Sequence, residues 1–211
     1  MPYNGYDSDQ DVSKEKLSTL VLDTPGVRDA YDDARVNRLV NNWTAKTLFR
    51  STVKFKKWRK NYSKSGKITA HQPIPFRGTG SILFTQLHKG VTQAPDNHKV
   101  VIMFSGLKFS DKSFRNCLQV EYKGSTYYIE KPKLSKTTIR VRCSCKDFYF
   151  CFSLWDYQTR CIVGPKPKKY TRKTPAPPVG RPYRNPKKFP GLCKHVFNAL
   201  EYLKSKGYVL V

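Results

Sequence analysis

Past residue 33 this 211-residue chain has almost no acids: only Asp96, Asp111, Glu121, Glu130, Asp147, Asp156 and Glu201 remain, scattered singly. Nucleases that hold catalytic metal ions need clustered carboxylates, so that chemistry is excluded on composition. No G-x-x-x-x-G-K-[ST] phosphate loop is present, so the D-x-x-G string at Asp23, Thr24, Pro25 and Gly26 does not signal nucleotide binding. G-x-S-x-G and H-E-x-x-H are also missing, and the sequence therefore predicts no enzyme. It contains no run of about 18 apolar residues, which argues against a membrane span. The first residues do not form a basic-then-apolar leader, so export is not expected. Six cysteines without such a leader suit reduced thiols or metal binding better than a disulfide framework.

What is present in excess is positive charge, a net +25. The first 33 residues oppose it with eight acids against three bases, a local −5 that leaves +30 for the rest. This acidic arm has two readings, a solvated tail or a segment that folds against a basic surface. Charge in such excess repels itself unless an anionic partner neutralises it; nucleic acid is one candidate and an acidic protein surface in an assembly another.

Thr24 and Pro25 fit the N-cap and first position of a helix, with Val27, Tyr31, Ala34, Val36, Leu39 and Val40 as its apolar stripe. This predicts an N-terminal helix near residues 25–43. Residues 46–67 then carry nine bases, no acid, and Phe49, Phe55, Trp58 and Tyr62 between the charges. Bases for phosphates alternating with rings for stacking is one reading, with Lys54, Lys56, Lys57, Trp58, Arg59 and Lys60 as its binding residues. A helix or strand with a solvated charged face and an aromatic core face is the other.

From residue 69 to 142 the texture is β: residues 81–85, 100–104, 118–122, 126–130 and 137–142 read as strands, with Lys123, Gly124 and Ser125 turning a hairpin. A small antiparallel sheet is expected. His71, His88 and His98 stand singly here and are assigned ordinary polar or surface roles.

The motif that organises the chain is Cys143-Ser144-Cys145 at the end of an alternating strand, joined by Cys193-Lys194-His195 at the start of an amphipathic helix. Three thiolates and one imidazole make a tetrahedral zinc set. Between them lie an aromatic run at residues 148–157, which suits core around the metal, and an insert at 164–190 with eight prolines, nine bases and no acid. Alone, such an insert cannot collapse, so it is expected to lie against a partner. Lys168, Lys169, Arg172, Lys173, Arg181 and Arg184 are its candidate contacts. Cys151 and Cys161 either extend the metal site or stand apart from it, and Cys117 reads as a small buried hydrophobe.

The C-x-C, a long gap of 47 residues and the C-x-H resemble the SWIM-type zinc finger, over residues 143–204. The aromatic Asp147-Phe148-Tyr149-Phe150 run, Asn185-Pro186 and the closing Pro190-Gly191-Leu192-Cys193-Lys194-His195 resemble in particular SWIM-like virion structural proteins of tailed bacteriophages. The gap is longer than is usual for the family. With the helix and sheet read from the residues above, the expected fold is α+β: an N-terminal helix, a small antiparallel sheet and a SWIM-like zinc module ending in a C-terminal helix. The expected organisation is an arm, helix and basic segment over 1–67, a β region over 68–142 and the zinc module over 143–211. The implied role is a virion structural component of the tail, baseplate or neck, assembled in the host cytoplasm. Its partners would be other virion proteins, with DNA as a further partner, and neither a small-molecule substrate nor a membrane. A freestanding nucleic-acid-binding zinc-finger protein is the alternative.

Overall fold

The computed structural model describes residues 43–53, 66–89, 97–168, 185 and 189–211. The helix expected near 25–43, apart from its last residue, lies outside them, as do the acidic arm, the 54–60 group of binding candidates and the basic candidates from 169 to 184. The described chain is α+β, with antiparallel sheets and a C-terminal helix, as expected.

The first helix, α1 (Ala45–Val53), buries Ala45, Leu48, Ser51 and Thr52. The first part of the basic, aromatic stretch is thus a helix with a charged outer face. Strands β1 (Ile68–Phe76), β2 (Ser81–His88), β3 (His98–Ser105) and β7 (Thr138–Cys143) form one sheet in that order, each pair antiparallel. β1 contains Pro73 and Pro75, which cannot donate to a ladder, and accordingly it lies at the sheet edge. The second sheet orders β4 (Phe109–Ser110), β6 (Ser125–Glu130) and β5 (Cys117–Tyr122). Tyr122 pairs with Ser125 across a two-residue loop in which Lys123 and Gly124 have φ of 50° and 75°. Positive φ at both central residues is the turn whose twist matches a hairpin, and it places Ser125 in β6.

Side chains of β2 alternate between two apolar layers, as the period of a strand requires. Ile82 and Phe84 join the main core with Ile102, Phe104, Ile139 and Val141, while Leu83 packs on the opposite side with Ile74, Val101, Met103 and Val163. The aromatic run after the C-x-C forms two short helices, α2 (Lys146–Cys151) and α3 (Ser153–Gln158). Phe148 and Phe152, four residues apart, are buried in the main core, as the sequence reading anticipated for this run. The last helix, α4 (Lys194–Ser205), buries Val196, Ala199, Leu200 and Leu203 against that core. Phe197 on α4 stacks on Phe49 of α1, with ring centroids 5.2 Å apart. No helix among the described residues is long and apolar enough to cross a membrane.

Candidate metal centre

β7 ends at Cys143, which the β3 ladder sets opposite Val100. Directly beyond the ladder, the Ser144 amide donates to the Lys99 carbonyl at 3.0 Å and the Ser144 hydroxyl accepts from the Lys99 amide at 2.9 Å. The turn between the two cysteines is therefore fixed to β3. Cys145 then caps α2, its sulfur accepting the Phe148 amide at 3.3 Å, and its own amide points to Cys143 Sγ at 3.4 Å. Cys193 occupies the corresponding position on α4, and His195 lies in that helix's first turn. The Cys145 sulfur thus faces the amide end of α2, which favours thiolate, whereas the Cys193 side chain makes no cap hydrogen bond.

The loop that delivers Cys193 is held from three directions. The Ser51 hydroxyl donates to the Pro190 carbonyl at 2.7 Å, and the Leu192 amide donates to Thr52 Oγ1 at 2.8 Å, so α1 grips both sides of Gly191. The Gly191 amide donates to Oδ1 of the buried Asp156 carboxyl group on α3 at 2.8 Å. Asn185 donates to the carbonyls of Cys151 and Phe189, both at 2.7 Å, and accepts the Phe189 amide in return. A Cβ on Gly191 would sit 2.7 Å from Thr52 Oγ1 and 2.8 Å from the Phe152 ring, so glycine is there for close approach.

Together these elements bring Cys143, Cys145, Cys193 and His195, all buried, to where their ligand atoms lie within 4.8 Å of one another. Cys143 Sγ stands 3.9 Å from His195 Nδ1. Metal–thiolate bonds of about 2.3 Å put tetrahedral ligand atoms roughly 3.8 Å apart, so the donor set fits a single metal ion. Among the described residues it is the one group of three or more His, Cys, Asp or Glu side chains with that geometry.

The electrostatics point the same way. Burial pushes the Cys143 and Cys193 thiols well up, whereas hydrogen bonds from Cys143 and Cys193 pull Cys145 far below the usual thiol range. A divalent ion would supply the charge that lets all three ionise, with release of the protons.

Cys151 and Cys161 stand apart from the cluster: the Cys151 thiol donates to Asp147 Oδ1 at 3.5 Å, and Cys161 Sγ lies 3.1 Å from Thr159 Oγ1. Of the basic candidates, Lys168 is exposed, and its carbonyl accepts the Tyr149 hydroxyl at 3.0 Å. Lys54, Lys56, Lys57, Trp58, Arg59, Lys60, Lys169, Arg172, Lys173, Arg181 and Arg184 lie outside the described residues.

Two of the lone histidines belong to the site's surroundings rather than to a remote surface. His88 and His98 face each other across β2 and β3, and their rings lie 5.9 and 4.4 Å from that of His195. His88 is buried with its Nε2 3.1 Å from Gln86 Oε1, and burial lowers its pKa to about 4, followed by the nearby His195 and His98. The alternation of β2, which puts Gln86 and His88 on the face of Ile82 and Phe84, was the sequence signal for this. No family model matches the chain, and neither a curated protein nor a solved structure shows significant similarity to it.

Proposed function

We propose that Cys143, Cys145, Cys193 and His195 hold a structural zinc ion in a SWIM-like module, and that the protein is a structural component of a tailed-phage virion. The observation that carries the zinc assignment is the buried set of three sulfurs and one imidazole nitrogen at tetrahedral spacing. A thiolate-rich tetrahedral set suits zinc, and four protein donors leave no position for a reactive water. The metal's work is then folding energy: it ties the end of a sheet to the start of a helix 50 residues away, as the numbering of Cys143 and Cys193 shows.

The virion role is supported by the C-x-C and Pro-Gly-x-Cys-Lys-His pattern and by the acid-free basic, proline-rich insert, a composition that orders against a partner. In this reading the basic segments around Lys56 and Arg172 meet neighbouring subunits or packaged DNA. Peptide mass spectrometry of purified particles tests it: the chain should be present at fixed stoichiometry, and its absence from particles would refute the role.

The net charge of +25 favours a second reading, a freestanding nucleic-acid-binding protein. A phosphate-binding protein should lose orders of magnitude in affinity for duplex DNA between about 50 and 200 mM salt. A subunit that meets only protein would show weak retention on any polyanion.

A further inference from the structure

We propose that His88 is the outer partner of the metal ligand His195, and that it is the metal-side end of a directed hydrogen-bond chain through Gln86 to His71. The inference rests on the metal-staple reading above. His195 turns Nδ1 toward the sulfurs, at 3.9 Å from Cys143 Sγ. A metal on that nitrogen's lone pair leaves the ring proton on Nε2, able to donate to an outer acceptor that fixes the ring. His195 is 3% exposed.

The acceptor is supplied by β2. His88 is fully buried, and its Nδ1 has no hydrogen-bond partner. Its Nε2 faces Gln86 Oε1 at 3.1 Å, and a carbonyl oxygen only accepts, so the His88 proton sits on Nε2 and Nδ1 carries a bare lone pair. The two rings are direct neighbours, with centroids 5.9 Å apart and edge to face at 74°. His98 is the other ring neighbour of His195, with centroids 4.4 Å apart and tilted by 49°.

Gln86 gives the chain its direction. Its amide nitrogen lies 3.2 Å from His71 Nδ1, so one end of the glutamine donates and the other accepts. Flipping that amide would reverse every link and set a His88 N–H against the His195 N–H. Only one direction is compatible with a metal on His195 Nδ1. At the far end His71 is wedged among Phe84, Tyr202 and Tyr208, with centroids 5.7, 5.2 and 4.9 Å away. The orientation of the ligand ring is thereby tied to β1, β2 and the end of α4. His88 is a positioning residue for the metal.

The test uses the full chain loaded with zinc and labelled with ¹⁵N, its imidazole tautomers read by two-bond ¹H–¹⁵N correlation. The expected pattern is His195 metal-bound at Nδ1 and protonated at Nε2, with His88 and His71 both protonated at Nε2 and bare at Nδ1. Zinc affinity, by chelator competition, should fall about 10–100-fold in His88→Phe, recover in part in His88→Gln, and stay nearly unchanged in His98→Ala. A His88 proton on Nδ1, or a larger loss from His98→Ala than from His88→Phe, overturns the inference while leaving the zinc site standing. If the wild-type chain takes up no zinc, both fall together. Should His88→Phe not fold, the wild-type tautomers decide alone.

Discussion

The Leu192 amide donates to Thr52 Oγ1 at 2.8 Å, joining the residue before a cysteine of the buried cluster to a helix 140 positions earlier in the chain. Thr52 in turn donates to the Leu48 carbonyl within α1 and is 1% exposed. Thr52→Val keeps the shape and removes the acceptor. A buried amide left unsatisfied costs about 1–3 kcal/mol. Thermal unfolding of the metal-loaded protein should show a destabilisation of that order, with weaker zinc retention against a chelator. Thr52→Ser, which keeps the oxygen, should lose much less.

Asp156 grips the same loop from the other side, and the direction of its titration is informative. Burial raises its carboxyl well above the ordinary aspartate range, and Oδ2 has no hydrogen-bond partner. A carboxyl whose native pKa lies above the unfolded value stabilises the fold fully below the ordinary range. That contribution is lost as pH rises toward the native pKa. Asp156→Asn keeps an oxygen for the Gly191 amide and cannot ionise. Its melting temperature should therefore gain on wild type as pH is raised from 5 to 9. A constant loss at every pH would show instead that Asp156 works as a carboxylate.

These contacts show where the sequence was legible and where it was not. The four residues of the cluster could be read directly because each pair is local: an alternating run delivers Cys143, and an amphipathic run begins beside Cys193. The antiparallel strands and the Lys123-Gly124 hairpin were readable for the same reason. Ser51, Thr52 and Asp156 were not, because their partners are brought close only by packing across 35 to 140 residues. His88 and His98 looked isolated because the pairing of β2 with β3, not their spacing, carries them to His195. Phe148, Tyr149 and Phe150 favour strands intrinsically, yet they form α2, with Phe152 joining it to α3, since burial of Phe148 and Phe152 in the main core outweighs propensity.

Cys151 and Cys161 give a discriminating control. Both are buried, but they sit beside Asp147 and Thr159 rather than in the cluster. Cys151→Ser and Cys161→Ser should keep the wild-type metal content and lose only packing stability, on the order of 1 kcal/mol. Loss of metal in either variant would place a fourth sulfur in the site.

The measurement that bears most directly on the central claim is elemental analysis of the purified chain beside Cys193→Ser. Cys193 is fully buried at the start of α4. The account predicts about one zinc per chain in wild type. It also predicts loss of the metal in the variant, together with loss of α4 signal and cooperative unfolding. A wild-type chain without metal, or one carrying several irons, would contradict it.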